Sequence, residues 1–275
     1  MIKIFLKKLI LALIKTLNKT SIGYFINKVL LTEAMNQKKN IDHNGIQLSF
    51  STPNSLNDYR ASSFSLKEPE TLEWIDGFDD NSVFWDVGAN VGLYSCYAAS
   101  KKGCQIVAFE PSVFNLELLA RNISNNNLID KISIMPLAIS YKQDLNKLNL
   151  STTEWGGALS TFGESYGQDG KDLNIQFSFN TFGISLDMAH EIFKLPKPKY
   201  LKIDVDGIEH LILQGGLSIL HYASEVLVEI NEGFIEQSDN SFRILTEAGF
   251  KIDRTGEYVH PDNDSGMICN QIWIK

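Results

Sequence analysis

Four short apolar runs in this 275-residue chain each end in residues that can do chemistry. The first, VFWDV, leads into Asp86-Val-Gly88-Ala-Asn90-Val-Gly92. Gly88 and Gly92 permit close approach of backbone to a ligand, because a Cβ there would collide or forbid the dihedrals. The second run, QIVAF, ends at Glu110, where a carboxylate can accept both hydroxyls of a ribose. The third, YLKID, ends in Asp204, placed to act on a transferring group as a base or an orienting acid. The fourth, EVLVEI, brings Glu229 and Asn231, which with Asp204 would make an all-oxygen set suited to Mg²⁺.

The glycine loop narrows the ligand. A dinucleotide fingerprint reads G-x-G-x-x-G, whereas here Asn90 stands at the third position and the last glycine falls two positions later. D-x-G-x-N-x-G is the pattern of S-adenosylmethionine loops, and that cofactor has no pyrophosphate to seat on a helix N-terminus. Asp86 would complement its methionine ammonium and Glu110 its ribose. The competing reading is a plain glycine turn with a capping acid.

The motifs FWDVGANVGLYSCYAA, VAFEPSVFNLELLARNI, YLKIDVDGIEHLILQGG and EVLVEI, in this order, resemble the FkbM-type methyltransferase family. The resemblance covers roughly residues 70–275. It implies an α/β class I methyltransferase (Rossmann-like) fold, with a mostly parallel seven-stranded sheet and helices on both faces. It implies S-adenosylmethionine as cofactor and, for many members, O-methylation of sugars or secondary metabolites. Carried over residue by residue, Gly88, Asn90 and Gly92 line the cofactor, Asp86 neighbours its methionine end, Glu110 holds its ribose, and Phe109 and Pro111 flank the adenine or belong to the core. The family usually reads Asp-Val-Glu-Gly where this chain has Asp204-Val205-Asp206-Gly207. Such enzymes are not generally metal-dependent, which leaves the magnesium set as the lesser alternative.

The elements that must position these residues alternate. Strands are expected at VFWDV, QIVAF, KISIMPLAI, YLKID and EVLVEI, with helices at LYSCYAASKK, SVFNLELLARNISNN, GIEHLILQGGLSILHY and SFRILTEAG between or after them, and FKID and MICNQIWIK closing the sheet as an antiparallel pair. Ligands of such sheets bind at the carboxyl ends of the strands. Residues 68–275 read as the catalytic domain, beginning with a helix at Glu68-Pro69-Glu70. Residues 141–181 are a glycine-rich insertion that either covers the site or is a surface hairpin. Glu209 reads as a helix-dipole acid or a partner of Lys202. His210, His190, His221 and His260 read as surface or packing residues.

Residues 1–67 read as an amphipathic helix followed by a linker with one hairpin at IQLSF. The net charge of −8 conceals a division: residues 1–31 carry six lysines and no acid, so the remainder carries −14. That acidic body disfavours nucleic acid as a partner, since neutralising phosphates needs clustered Lys and Arg. The longest uncharged apolar run near the start, Leu9 to Ile14, is too short for a membrane span or an export signal. Residues 1–20 instead form a basic amphipathic helix that docks on a membrane surface or packs on protein, leaving peripheral membrane contact and oligomeric state open. Three unpaired cysteines, Cys96, Cys104 and Cys269, fit a reducing, cytoplasmic location. The expected acceptor is a glycan or glycolipid hydroxyl. A small secondary metabolite, or a cofactor pocket without catalysis, are the alternatives.

Overall fold

The structure, a computed structural model, describes residues 2–256 and 268–275, so His260 and Met267 lie outside it. Two helices open the chain, α1 (Ile2–Leu17) and α2 (Ser21–Asn36). A hairpin of β1 (Lys38–His43) and β2 (Ile46–Ser51) follows, then α3 (Ser55–Ser62), α4 (Phe64–Lys67) and α5 (Pro69–Asp76). Residues 36–67 are thus more than a linker: the β1–β2 hairpin is held to the body by side-chain amides. Asn122 accepts from the Ser51 N–H at 2.7 Å, and Asn126 accepts from the Ser49 N–H at 2.8 Å.

The regular alternation runs β3 (Val83–Val87), α6 (Leu93–Lys102), β4 (Gln105–Phe109), α7 (Val113–Asn125) and β5 (Ile132–Met135). The run KISIMPLAI, expected as one strand, is two. Proline lacks the N–H that a continuing ladder needs, and after Pro136 the chain leaves β5 and enters β6 (Ala138–Ile139) in a different sheet. That second sheet is completed by β7 (Asp144–Leu150), β8 (Ser160–Phe162) and β9 (Phe177–Ile184), in the order β6-β9-β7-β8.

After α8 (Leu186–Phe193) comes β10 (Tyr200–Ile203). The helix expected over residues 207–222 is likewise two, α9 (Glu209–Gln214) and α10 (Leu217–Tyr222), interrupted at Gly215-Gly216 where helix propensity is lowest. The chain closes with β11 (Glu225–Asn231), α11 (Ile235–Glu247), β12 (Lys251–Thr255) and β13 (Ile268–Ile274). The main sheet has seven strands in the order β12-β13-β11-β10-β3-β4-β5. Its pairs are parallel except at β13, which runs antiparallel between β11 and β12.

Both faces of this sheet are covered. Trp85, Leu201 and Val226 point into a core shared with the second sheet and with α8 to α11. Phe84, Tyr200 and Leu227 point into a core shared with the hairpin and α5 to α7. Because side chains alternate along a strand, the polar residues at the strand ends inherit a side. Asp86 lies two residues after Phe84, Lys202 and Asp204 two and four after Tyr200, and Glu229 two after Leu227. All four therefore belong to the face of α5 and α6.

The hairpin, helix α7 and the glycine loop meet at Asn122, whose amide also donates to the Val91 carbonyl at 2.8 Å. Asn122→Ala leaves a buried N–H and a buried C=O without partners. We expect a loss of about 2–6 kcal/mol in chemical denaturation, at about 1–3 kcal/mol for each abandoned group.

Candidate active site

Strand β3 delivers Asp86 to the floor of the site, where it is 1% exposed and accepts from the Ser95 hydroxyl at 2.5 Å. Its other oxygen, Oδ1, is buried with no hydrogen-bond partner. Burial raises its pKa, against the opposing pull of Lys202 and Ser95. Gly88 follows at a positive φ of 85°, and a Cβ there would lie 1.8 Å from the Asp204 carbonyl oxygen. Gly88 is therefore needed to let β3 and β10 end side by side, quite apart from any ligand. Gly92 serves packing in the same way: a Cβ would lie 2.4 Å from Leu119 of α7, and the residue does not line the cavity.

Asn90 and Glu110 form one unit. The Asn90 N–H donates to Glu110 Oε2 at 2.8 Å, and the Ser112 N–H donates to Oε1 at 2.8 Å. The Asn115 amide also donates to Oε1, at 3.4 Å, so it is Oε2 that keeps a further lone pair for a ligand. Burial pushes the Glu110 pKa up to about 7 despite these donors. The Asn90 amide donates to the Gly157 carbonyl at 2.9 Å, which ties the glycine loop to the insertion.

Asp204 is joined to Lys202 by an ion pair of 2.5 Å, with the lysine side chain 2% exposed. Burial favours the neutral acid, but the Lys202 ammonium and its hydrogen bond outweigh it and hold Asp204 below its ordinary value. Burial likewise works against the charge of Lys202, yet Asp204, Asp86 and Glu68 keep its pKa above the ordinary lysine value. The lysine was the missed member of the site. Its signal was a cation in an otherwise apolar strand, YLKID.

Asp206, the departure from the family pattern, fastens the insertion. It accepts from the Leu159 N–H at 2.8 Å and the Ser160 N–H at 3.3 Å, and burial beside Asp204 lifts its pKa to about 6. Glu209 does not pair with Lys202. It is wholly buried and accepts from the Val205 and Gly207 N–H groups and from Gln237 at 2.6 Å. His210 is a buried packing residue beside Phe234, with neither ring nitrogen bonded.

The magnesium set does not assemble. Asn231 spends its amide on the Gln168 carbonyl and the Gly233 N–H, at 2.8 and 2.9 Å, and does not line the cavity. Among the described residues no three His, Cys, Asp or Glu side chains are grouped to hold a metal ion. Glu229 does line the cavity. Its carboxyl makes no hydrogen bond among the described residues, and burial together with the neighbouring Asp204 and Asp206 raises its pKa well above the ordinary value.

These residues surround a cavity of about 290 Å³ at the carboxyl ends of β3, β4, β10 and β11. Residues 157–160, Phe162 and Gln168 of the insertion form part of its wall, so the insertion covers the site. Arg60 and Lys67, from α3 and α4, form another part. Lys67 pairs with Glu68 at 2.7 Å. The Arg60 guanidinium bonds only the Gly156 carbonyl, at 3.0 Å, and has no carboxylate within ion-pair distance among the described residues.

A glycine loop after β3, an acid at the end of β4 and a covered cleft between them are arranged as in the class I methyltransferase fold. The Methyltransferase FkbM domain matches residues 86–252, more than half of the chain, and the chain belongs to that family. It is 27% identical over 178 residues to the hexuronic acid methyltransferase AglP of Haloferax volcanii, covering 64% of this chain and 66% of that protein. The structure resembles the methyltransferase FkbM of Methylobacillus flagellatus KT at a TM-score of 0.47 and 14% identity, over 70% of this chain and 44% of that one. It resembles P. horikoshii TYW2 in complex with MeSAdo at a TM-score of 0.48 and 12% identity, over 86% of this chain and 70% of the other.

The chain thus carries a methyltransferase domain of the FkbM family, and the residues lining its cavity fit S-adenosylmethionine. Among the described residues Asp86 Oδ1 has no hydrogen-bond partner and offers a buried acceptor for a cationic group, and Glu110 lines the same cavity at the end of β4.

Burial raises Glu209 to about 7, above an unperturbed carboxylate near 4.5. Its neutral form therefore favours the fold below about pH 4.5, and that contribution is lost as pH rises through 7. We expect the stability of the free protein to fall across this window, and Glu209→Gln to make the fall shallower, in urea titrations run from pH 5 to 8 (about the range set by the two values).

Proposed function

We propose that this methyltransferase acts on a hydroxyl of a sugar, in a glycan or glycolipid. The observation that carries the chemistry is the Glu229 carboxyl, which makes no hydrogen bond among the described residues in a cavity whose other carboxylates are engaged. Asp86 is held by Ser95, Glu110 by Asn90 and Ser112, Asp204 by Lys202, Asp206 by the insertion and Glu68 by Lys67. Methylation of a hydroxyl needs a group to accept its proton, and burial beside Asp204 and Asp206 makes the Glu229 carboxylate more basic than an ordinary one.

S-adenosylmethionine, when bound, supplies an activated methyl on a positively charged sulfur. In this reading Glu110 holds the ribose, and Asp86, together with the backbone at Gly88 and Asn90, receives the methionine end. Glu229 takes the hydroxyl proton. Asp204, kept ionised by Lys202, orients the acceptor and contributes negative charge rather than serving as the base. Arg60, free of carboxylate partners, offers a counter-charge to an acidic group at the cavity wall. The sugar assignment is supported by the hexuronic acid named for the Haloferax relative, and the three buried free cysteines support a cytoplasmic location.

Two outcomes are expected. Because the ribose hydroxyls donate to the carboxylate form of Glu110, affinity for S-adenosylmethionine should rise with pH and level off above about 7. Glu110→Gln should weaken binding about 10- to 100-fold and flatten that dependence in calorimetric titrations. With a hexuronic-acid oligosaccharide, a neutral oligosaccharide and a phenol panel as acceptors, S-adenosylhomocysteine release should favour the sugars. Glu229→Gln should cut kcat by about 10²–10⁴ and abolish its rise with pH, while leaving cofactor affinity unchanged. Turnover of the phenols alone would redirect the reading to small metabolites.

A further inference from the structure

Most of residues 5–36 are exposed. Helices α1 and α2 are joined at Asn18-Lys19-Thr20, where the Thr20 hydroxyl caps α2 by accepting the Gly23 N–H at 3.0 Å and the Asn27 amide donates to Asn18 at 2.5 Å. The principal packing partner of each helix is the other. Phe5, Leu9 and Leu13 of α1 and Ile22, Phe25 and Leu30 of α2 are each between 58% and 74% exposed. Soluble monomers rarely leave a contiguous apolar patch of this kind in water.

Two observations say what covers it. The first is the direction of the apolar residues. Phe25, Leu30 and Leu31 are all exposed, and at the helical repeat they point about 100–140° apart around the axis of α2. A folded partner or a second copy covers one side of a helix, whereas a lipid phase meets it from several. The second is charge. Residues 1–31 hold six lysines and no acid, and Lys7, Lys8 and Lys15 are exposed on α1 and Lys19 in the turn after it. Long lysine stems can lie along an apolar surface while their ammonium groups reach a phosphate layer. No described helix is long and apolar enough to cross a membrane.

We propose that α1 and α2 together form a helical hairpin that inserts into the interface of an anionic bilayer, with the lysines of α1 at the headgroups and the apolar side chains of both helices below them. Lipid contact then extends past residue 20 to the whole of α2. This proposal stands apart from the choice of acceptor, so either can fail alone.

The test uses the full chain and sedimentation with sucrose-loaded vesicles, either phosphatidylcholine alone or phosphatidylcholine mixed with phosphatidylglycerol. The protein should pellet with the anionic vesicles and not with the neutral ones. The triple variant Lys7→Gln, Lys8→Gln and Lys15→Gln should lose about a hundredfold or more in vesicle affinity. Phe25→Ser with Leu30→Ser, both in α2, should lose about tenfold or more while retaining S-adenosylmethionine binding, which reports an intact domain. Equal binding to neutral vesicles, or no pelleting, would overturn the proposal. So would a lipid-free dimer in sedimentation equilibrium that the α2 variant dissociates, since the apolar surface would then belong to a second copy.

Discussion

One buried cation holds the site together. Lys202 lies in the middle of a sheet with its ammonium 2% exposed, and the carboxylates of Asp204, Asp86 and Glu68 keep it charged there. Without it those acids would stand together in a low-dielectric cleft, and mutual repulsion would drive them toward the neutral form. Breaking such a buried pair by removing one partner is more damaging than replacing both, because it strands a charge. The negative charge proposed to face the transferring group is therefore set by a residue two positions earlier, in β10.

The sheet supplies the arrangement. Asp86 and Lys202 are cross-strand neighbours in the parallel pairing of β3 and β10, and Glu229 follows Val228, which pairs with Ile203. The two-residue alternation that buries Phe84, Tyr200 and Leu227 on one face also directs Asp86, Lys202, Asp204 and Glu229 to that face. Hydrophobic burial and catalytic geometry are consequences of the same pleat. The glycine loop reflects the same crowding, since Gly88 makes room for the Asp204 carbonyl and Gly92 for Leu119.

The insertion turns an open crevice into a cavity. Its contacts are individually modest, but they come from three directions: Asn90 and Asn115 donate to the Gly157 carbonyl, Asp206 accepts from Leu159 and Ser160, and Arg60 donates to Gly156. All three are made through backbone groups of the insertion. Side chains there can therefore vary without loosening the wall, a suitable property for a segment that shapes acceptor choice.

Strand positions, the glycine loop, Glu110 and Asp204 were legible because they rest on local patterns: apolar runs of strand length, glycines where a Cβ will not fit, acids at strand ends. The same local reading ran too far across Pro136 and Gly215-Gly216, where apolar character continues but the backbone cannot. It also grouped Asn231 with Asp204 and Glu229, although Asn231 is drawn off by Gln168 and Gly233. By itself, then, the sequence determined the fold class, the place of the glycine loop and the charge division between residues 1–31 and the rest. Tertiary structure alone decided that Lys202 belongs to Asp204, that the Glu229 carboxyl makes no hydrogen bond among the described residues, that Asp206 binds the insertion and that α1 and α2 keep their apolar surfaces uncovered. Those facts depend on which side chain reaches a partner first across strands and loops far apart in the chain, and no local periodicity encodes that competition.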